Sequence, residues 1–220
     1  MCGIAGLVGE QNPGRARSLV QAMVTSLARR GPDAEGMEVW PDAVLGHRRL
    51  LIFDLSEAGR QPMLSADRSI GVVFNGAIYN FHPLREELIQ AGYRFGSGTD
   101  TEVLIHGYRH WGMDALLARL RGMFAIGLRD NRQKKLFLIR DRLGVKPLAY
   151  TIRGGVIAFA STVRALHDAG LAEELDKQGV VDFLEFGYVT DQRYIYQNVS
   201  KIPAGHVIEW SGGMITRKCY

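Results

Sequence analysis

Met1-Cys2-Gly3-Ile4-Ala5-Gly6 opens the chain with a cysteine directly behind the initiator methionine, and an apolar run continues to Gly9. A short apolar run with glycine at both ends reads as a buried strand. The small Cys2 side chain should allow methionine removal, and Cys2 would then carry a thiol and a free α-amine together. That is a nucleophile with a base in the same residue. The plainer alternative is a small apolar residue in a first strand, since cysteines are often buried and inert. A second stretch bears on the choice. Val73-Phe74-Asn75-Gly76-Ala77-Ile78-Tyr79-Asn80 puts an Asn-Gly pair at the end of an apolar strand. Such a pair could offer two N–H donors to a developing oxyanion; its plainer alternative is a type I′ hairpin turn.

Outward from these two stretches, the pattern alternates between helical and strand-like. Ala16, Leu19, Val20, Met23, Val24 and Leu27 repeat at helical spacing across 15–29, and Arg30-Gly31-Pro32-Asp33 stops that helix with a turn. Glu38–Trp40 and Val44–Phe53 read as strands about Pro41-Asp42, and 54–69 as a long polar loop. Ile70–Phe74 is a strand closed by Asn75-Gly76. Pro83–Ala91 is helical, and Gly96-Ser97-Gly98-Thr99-Asp100 is a glycine-rich loop. Thr99 or Asp100 can cap the helix through Val103, Leu104 and Tyr108, with a further short helix over Asp114–Leu120. Three hairpins follow: Met123–Leu128 with Leu136–Arg140, Leu148–Ile152 with Val156–Ala160, and Val207–Trp210 with Met214–Arg217. Ser161–Ala169 and Lys177–Phe186 read as helices. Runs of antiparallel strands between amphipathic helices predict an α+β domain of two stacked sheets with helices outside.

The 220 residues are 46% hydrophobic and 23% charged, ordinary globular values that allow one sizeable core. The net charge of +4 comes from 27 Lys and Arg spread along the chain. The tightest basic runs, Arg48-Arg49 and Lys134-Lys135, are only pairs, so no basic stripe predicts nucleic acid as a partner. Cys2 and Cys219 are the only cysteines; two make no zinc site by themselves, and nothing predicts a metal. No leader and no stretch of 18 apolar residues is visible, so the expected compartment is the cytoplasm with no membrane partner.

Seven segments, in order, carry a resemblance. They are Met1-Cys2-Gly3-Ile4, Arg30-Gly31-Pro32-Asp33, Gly46-His47-Arg48-Arg49-Leu50, Asn75 to Asn80, Thr99-Asp100-Thr101-Glu102-Val103, Gly122-Met123-Phe124-Ala125, and Arg140-Asp141-Arg142-Leu143-Gly144-Val145-Lys146-Pro147-Leu148. With them the chain resembles the glutaminase domain of the class II glutamine amidotransferases, and within those the asparagine synthetase family. The resemblance covers roughly residues 1–210. It implies the N-terminal nucleophile (Ntn) hydrolase fold, a four-layer α-β-β-α sandwich with two antiparallel sheets, and it leaves 211–220 as the start of a connection to a synthetase domain.

What the resemblance implies for the site is specific. Cys2 would be the nucleophile; a thiol with a pKa of about 8.5 beside an α-amine of about 8 can pass its proton near neutral pH. Attack on the side-chain amide of L-glutamine would give a γ-glutamyl thioester and ammonia. Asn75 and Gly76 would be the oxyanion donors. Arg49 would hold the substrate α-carboxylate, since a guanidinium fork fits a carboxylate with two hydrogen bonds. Asp100 would receive the α-ammonium; helix capping is its competing use, which would leave Thr99 as the cap. Arg30, Gly31, Pro32 and Asp33 would form a loop lining the pocket, and Arg140 to Pro147 a structural segment at a partner boundary.

The implied partner is a C-terminal synthetase domain or subunit, with homodimers compatible. No cofactor is expected in this domain, with ATP and magnesium belonging only to the synthetase part. Three positions depart from the family. Ala77 stands where a glutamate that also contacts the substrate amine is usual, and Arg29 replaces a histidine. Ser211-Gly212-Gly213-Met214-Ile215-Thr216 imitates the start of a phosphate loop but lacks its Asp and Ser, and reads as a hairpin turn. The competing function is a non-catalytic regulatory or interaction domain of the same fold. Intact Cys2, Arg49, Asn75, Gly76 and Asp100 favour the enzyme, and an unprocessed Met1 would favour the alternative.

Overall fold

The computed structural model describes residues 1–51, 56–189 and 194–220. β1 (Gly3–Val8) is buried along its whole length. α1 (Pro13–Ser26) begins two residues before the apolar pattern, because the Asn12 side chain accepts from Arg15 N–H and Pro13 sits in the first turn. β2 (Ala34–Trp40) and β3 (Ala43–Arg49) follow. The strand expected to reach Phe53 stops at Arg49, while Ile52 and Phe53 lie outside the described residues. The reason is local. Leu50 N–H turns to Cys2 Sγ (3.4 Å) and Leu51 N–H to Asp33 Oδ2 (2.8 Å), so neither continues the ladder.

The expected loop 54–69, whose first two residues also lie outside the described set, contains a 3₁₀ turn at Glu57–Gly59 and a short β4 (Met63–Leu64). β5 (Ile70–Ile78) leads to α2 (Phe81–Gln90) and α3 (Thr101–Arg119). The two helices expected in that last stretch form one run with a break at Gly112, whose φ is 76°. β6 (Gly122–Asp130), β7 (Lys135–Arg140), β8 (Ala149–Arg153) and β9 (Val156–Ala160) match the first two hairpins. α4 (Val163–Asp168), α5 (Lys177–Phe186), β10 (Val199–Lys201), β11 (His206–Ser211) and β12 (Met214–Cys219) complete the chain. Residues 214–219 thus pair along β11 as an edge strand, and the Tyr220 hydroxyl donates to Arg140 O (2.8 Å).

The strands form two six-stranded antiparallel sheets. The first has the order β10-β8-β9-β1-β3-β2 and the second β12-β11-β7-β6-β5-β4. Strand alternation sorts the side chains into three apolar layers. Ala5 and Leu7 of β1 pack with Val20, Met23 and Val24 of α1 and Leu166 of α4 outside the first sheet. Phe74 and Ile78 of β5 pack with Leu84, Leu88, Val103 and Leu104 of α2 and α3 outside the second. Ile4, Val8, Leu45, Val73, Ala125 and Phe159 fill the space between the sheets. The result is helix–sheet–sheet–helix.

Phe159 of β9 spans that middle layer. A Cβ built on Gly6 of β1 would come within 2.5 Å of its ring, and one on Gly127 of β6 within 2.7 Å. Neither strand could carry a side chain there without moving the ring or the sheet.

β5 corrects the sequence reading at Asn75-Gly76. The strand does not close there. Asn75 pairs with Ala125, Gly76 with Phe124, Ala77 with Met123 and Ile78 with Gly122, and Tyr79 N–H still reaches Arg121 O (2.8 Å). A long β6 on the neighbouring edge extends the ladder through a dipeptide that in isolation favours a turn. Gly76 is required by close approach, because a Cβ would meet Met123 O at 2.2 Å.

Candidate active site

Both sheets contribute to one cavity at the N-terminal end of β1. It measures about 250 Å³ and is lined by Met1, Cys2, Arg49, Asn75, Gly76, Ala77 and Asp100, together with Leu50, Gly59, Gln61, Phe74, Thr99, Thr101, Met123 and Lys146. All five residues singled out for chemistry therefore meet in one place, although 98 positions separate Cys2 from Asp100. A larger cleft of about 650 Å³ opens beside α3 and the β6–β7 turn, lined by Arg109, Asp130 and Arg132 among others. It contains no cysteine and none of those five, so size does not identify the site.

Cys2 is held from three sides. Arg30 Nε donates to Cys2 O (3.2 Å), Leu50 N–H donates to its sulfur, and Ile4 is pinned by Ser161 in both directions, Ile4 N to Ser161 Oγ and Ser161 N to Ile4 O, each 2.9 Å. Arg30, Gly31, Pro32 and Asp33 do not line the cavity. They stand behind it: Asp33 N–H binds Arg49 O (3.1 Å) while Asp33 Oδ2 takes Leu51 N–H. The expected lining loop is a brace for the end of β3 and for Cys2. Burial lowers the Arg30 pKa against the opposing influence of Cys2, and its Nη2 has no hydrogen-bond partner among the described residues.

On the second sheet, Asn75 faces the space between the layers and is 2% exposed. Its Nδ2 is buried with no hydrogen-bond partner among the described residues. A buried unpaired amide donor costs roughly 1–3 kcal/mol. The backbone alternation completes the picture. Phe74 N–H donates to Gln61 Oε1 (2.6 Å) and Ile78 N–H to Asp100 Oδ2 (2.8 Å), both on the edge of β5 away from β6. Gly76 N–H lies between them and is aimed at the same edge, where Gly76 lines the cavity. Two donor-bearing residues therefore border the cavity that Cys2 also lines, groups of the kind that can stabilise an oxyanion.

Arg49 and Asp100 are both largely buried. Arg49 Nη1 donates to Ser56 O (2.9 Å). Asp100 precedes α3 without a side-chain capping bond, although the N–H groups of Asp100 and Thr101 also favour its charged form. Burial raises the Asp100 pKa, opposed by the Ile78 N–H that favours the charged form. Below Arg49, the buried His47 ring reaches Phe74 O at 3.3 Å and so ties β3 to β5; Nε2 is the donor in this tautomer. Burial pushes His47 down to about 3, with Arg49 adding a smaller effect in the same direction and the Phe74 carbonyl opposing it. The ring is neutral at ordinary pH.

Lys146, Gln61, Met123 and Thr101 line the cavity without having been singled out in the sequence. Lys146 Nζ lies 3.4 Å from Met1 Sδ. Its loop is organised by Asp141, whose carboxylate accepts from the backbone N–H of Phe124, Leu143, Val145 and Lys146 at 3.0–3.1 Å. The Arg140–Pro147 segment is structural in this sense. The only available signal for Lys146 was its place in that motif. Among the described residues no cluster of His, Cys, Asp or Glu could hold a metal ion, and no helix is long and apolar enough to cross a membrane.

Cys2 beside the first sheet and Asn75 and Gly76 on the second thus border one cavity between two facing antiparallel sheets. The family described as "Glutamine amidotransferase domain" matches residues 1–220, and the chain belongs to it. A solved structure described as glutamine phosphoribosylpyrophosphate amidotransferase from B. subtilis complexed with ADP and GMP superposes with a TM-score of 0.75. It covers 99% of this chain and 49% of that one at 18% identity, a likeness of fold.

Among curated proteins, the chain is 35% identical over 224 residues to Asparagine synthetase [glutamine-hydrolyzing] 1 of Bacillus subtilis (strain 168), covering 100% of this chain and 35% of that protein. It is 39% identical over 171 residues to Asparagine synthetase [glutamine-hydrolyzing] 3 of Arabidopsis thaliana, covering 76% of this chain and 29% of that protein. The chain thus spans about a third of the length of these relatives.

Proposed function

We propose that this domain hydrolyses L-glutamine and delivers the ammonia to an ATP- and magnesium-dependent synthetase domain or subunit of the asparagine synthetase kind. The observation that carries the reading is the unpartnered Nδ2 of Asn75 in the same cavity as Cys2. Once Met1 is removed, the α-amine of Cys2 takes the thiol proton, and the sulfur attacks the amide carbon of glutamine. Negative charge develops on the amide oxygen, where Asn75 Nδ2 and Gly76 N–H donate to it. The amine returns the proton to the leaving nitrogen, ammonia departs, and a γ-glutamyl thioester remains. Water, deprotonated by the same amine, then releases glutamate and regenerates the thiol.

Arg49 and Asp100 read the two ends of the substrate zwitterion. Their burial favours glutamine over simple amides, because an amide lacking either charge leaves a buried group unpaired. Met1 lines the cavity and has to leave before substrate can enter.

The test combines N-terminal mass spectrometry with glutamate release. Chain lacking Met1 is expected to hydrolyse glutamine. Cys2→Ala is expected to abolish turnover while leaving the circular dichroism unchanged, and Cys219→Ser, at an exposed position, to change little. Appreciable turnover in the Cys2 variant, or none in chain that lacks Met1, overturns the reading.

A further inference from the structure

We propose that Glu102 is a positioning residue for the amine end of the substrate, acting through the 96–100 loop that carries Asp100. The inference rests on the amine-binding role given to Asp100 above. Glu102 stands in the first turn of α3 and reaches back. Its Oε1 accepts from Gly96 N–H (2.8 Å), and its Oε2 from Ser97 N–H (2.8 Å) and Ser97 Oγ (2.6 Å). Ser97 Oγ lies 3.0 Å from Thr99 Oγ1. From the other side, Arg85 of α2 donates to Ser97 O (2.7 Å) and lies over the Phe95 ring at 4.5 Å. The loop's donors are thus met by α3 and its acceptor by α2.

The loop needs this clamp. Gly96 and Gly98 have no side chains to pack, and glycine gives up the most backbone freedom on ordering. Yet Thr99, Asp100 and Thr101 immediately follow and line the cavity. The start of α3 would ordinarily be capped by the residue before it. Asp100 makes no such bond, and Glu102 instead supplies negative charge at that helix end, where the dipole favours it. Glu102 therefore fixes the loop from which Asp100 faces the cavity. Burial alone would raise the Glu102 pKa, but His106, Ser97 and the two backbone N–H groups hold it well below its ordinary value, so the clamp stays charged through the neutral range.

The experiment compares two substrates on the full chain. Glutamine carries the α-amine; glutaramate keeps the amide and carboxylate but lacks it. Glu102→Ala is expected to raise KM for glutamine about tenfold with kcat within about twofold, and to leave kcat/KM for glutaramate within about twofold. Combined with Asp100→Asn, it is expected to add nothing further. If the alanine variant does not fold, Glu102→Gln keeps the shape and one acceptor oxygen, and the same selective loss on glutamine is expected at smaller size. Equal losses on both substrates, additivity with Asp100→Asn, or no loss on glutamine overturns the proposal. Turnover that depends on Asp100 but not on Glu102 overturns this inference alone. Absence of turnover in the unsubstituted chain overturns the functional reading and this inference with it.

Discussion

The two ends of the space between the sheets bury similar groups and put them to different uses. At the far end Arg129 of β6, with no exposed surface, donates to Asp42 Oδ2 (2.8 Å) and Asn131 Oδ1 (3.1 Å). Asp42 lies in the β2–β3 turn, so the pair joins one sheet to the other; Arg129 Nη1, Asp42 Oδ1 and Asn131 Nδ2 have no hydrogen-bond partner among the described residues. At the near end lie Arg49, Asp100 and Asn75, also buried, around a cavity of about 250 Å³, with Asn75 Nδ2 unpartnered among the described residues. Arg129 is the more deeply buried arginine. Burial of charge therefore does not mark a site. Nor do unpartnered polar atoms mark it, since both ends have them; what distinguishes the near end is that Cys2 lines the same cavity as Arg49, Asn75 and Asp100.

Four substitutions can break or sharpen that contrast. The largest effect is expected from Asn75→Ala: kcat for glutamine should fall about 10²–10³-fold, the scale of one oxyanion donor. Stability should stay within about 1 kcal/mol, because the lost amide donor had no partner. Urea unfolding beside steady-state kinetics measures both, and an unchanged kcat would remove Asn75 from the chemistry.

His47 comes next, through acid stability. Its folded pKa of about 3 lies below the ordinary 6.5, so between these values the unfolded chain binds a proton that the fold excludes. The neutral ring's stability is complete above about pH 6.5 and falls as pH drops, by about 3 kcal/mol at pH 4. His47→Gln should flatten that part of the profile relative to the unsubstituted chain, and parallel profiles would refute the assignment.

At the closed end, Arg129→Met should leave kcat and KM unchanged and cost about 2–3 kcal/mol of stability, since Asp42 loses a buried partner but keeps some solvent. A kinetic effect here would mean that the two ends are coupled. The smallest effect is expected from Ala77→Glu, which adds a carboxylate to the cavity wall beside Asp100. KM for glutamine should fall by up to about tenfold with kcat nearly unchanged, as for an interaction equal in ground and transition states. A raised KM would mean that the new charge is crowded against Asp100.

Much of this was legible in the sequence, for identifiable reasons. Helices such as α5 and the three late hairpins announce themselves through local periodicity and glycine turns, and the structure places them within a residue or two of the reading. The five cavity residues were legible through motif order, not through local pattern. The misreadings share a cause: the deciding partner is distant in sequence. The strand from Ile70 reads as closed at Asn75-Gly76 until β6, some 50 residues on, carries the ladder to Ile78. The end of β3 is set by Cys2 and Asp33. The 30–33 loop reads as pocket lining, but its contacts to Cys2 and β3 put it behind the wall. β4 and β10, two and three residues long, carry too little periodicity to register.

Phe159 gives the division of labour between the sheets a mechanical meaning. Cys2, proposed as the nucleophile, adjoins the first sheet, and Asn75 and Gly76, proposed as oxyanion donors, lie on the second, so the spacing of the sheets sets how far apart the backbones that carry them stand. That spacing, roughly 10 Å between stacked sheets, is gauged by one aromatic ring wedged between two glycine strands. The ring lies about four residues along β1 from Cys2, roughly 13 Å away, and touches nothing that reacts. A methyl group added at Gly6 or Gly127 would act as a shim, moving the ring or the sheets that carry Cys2 and Asn75. In such a scaffold the rate can be tuned by a spacer, with the chemistry left untouched.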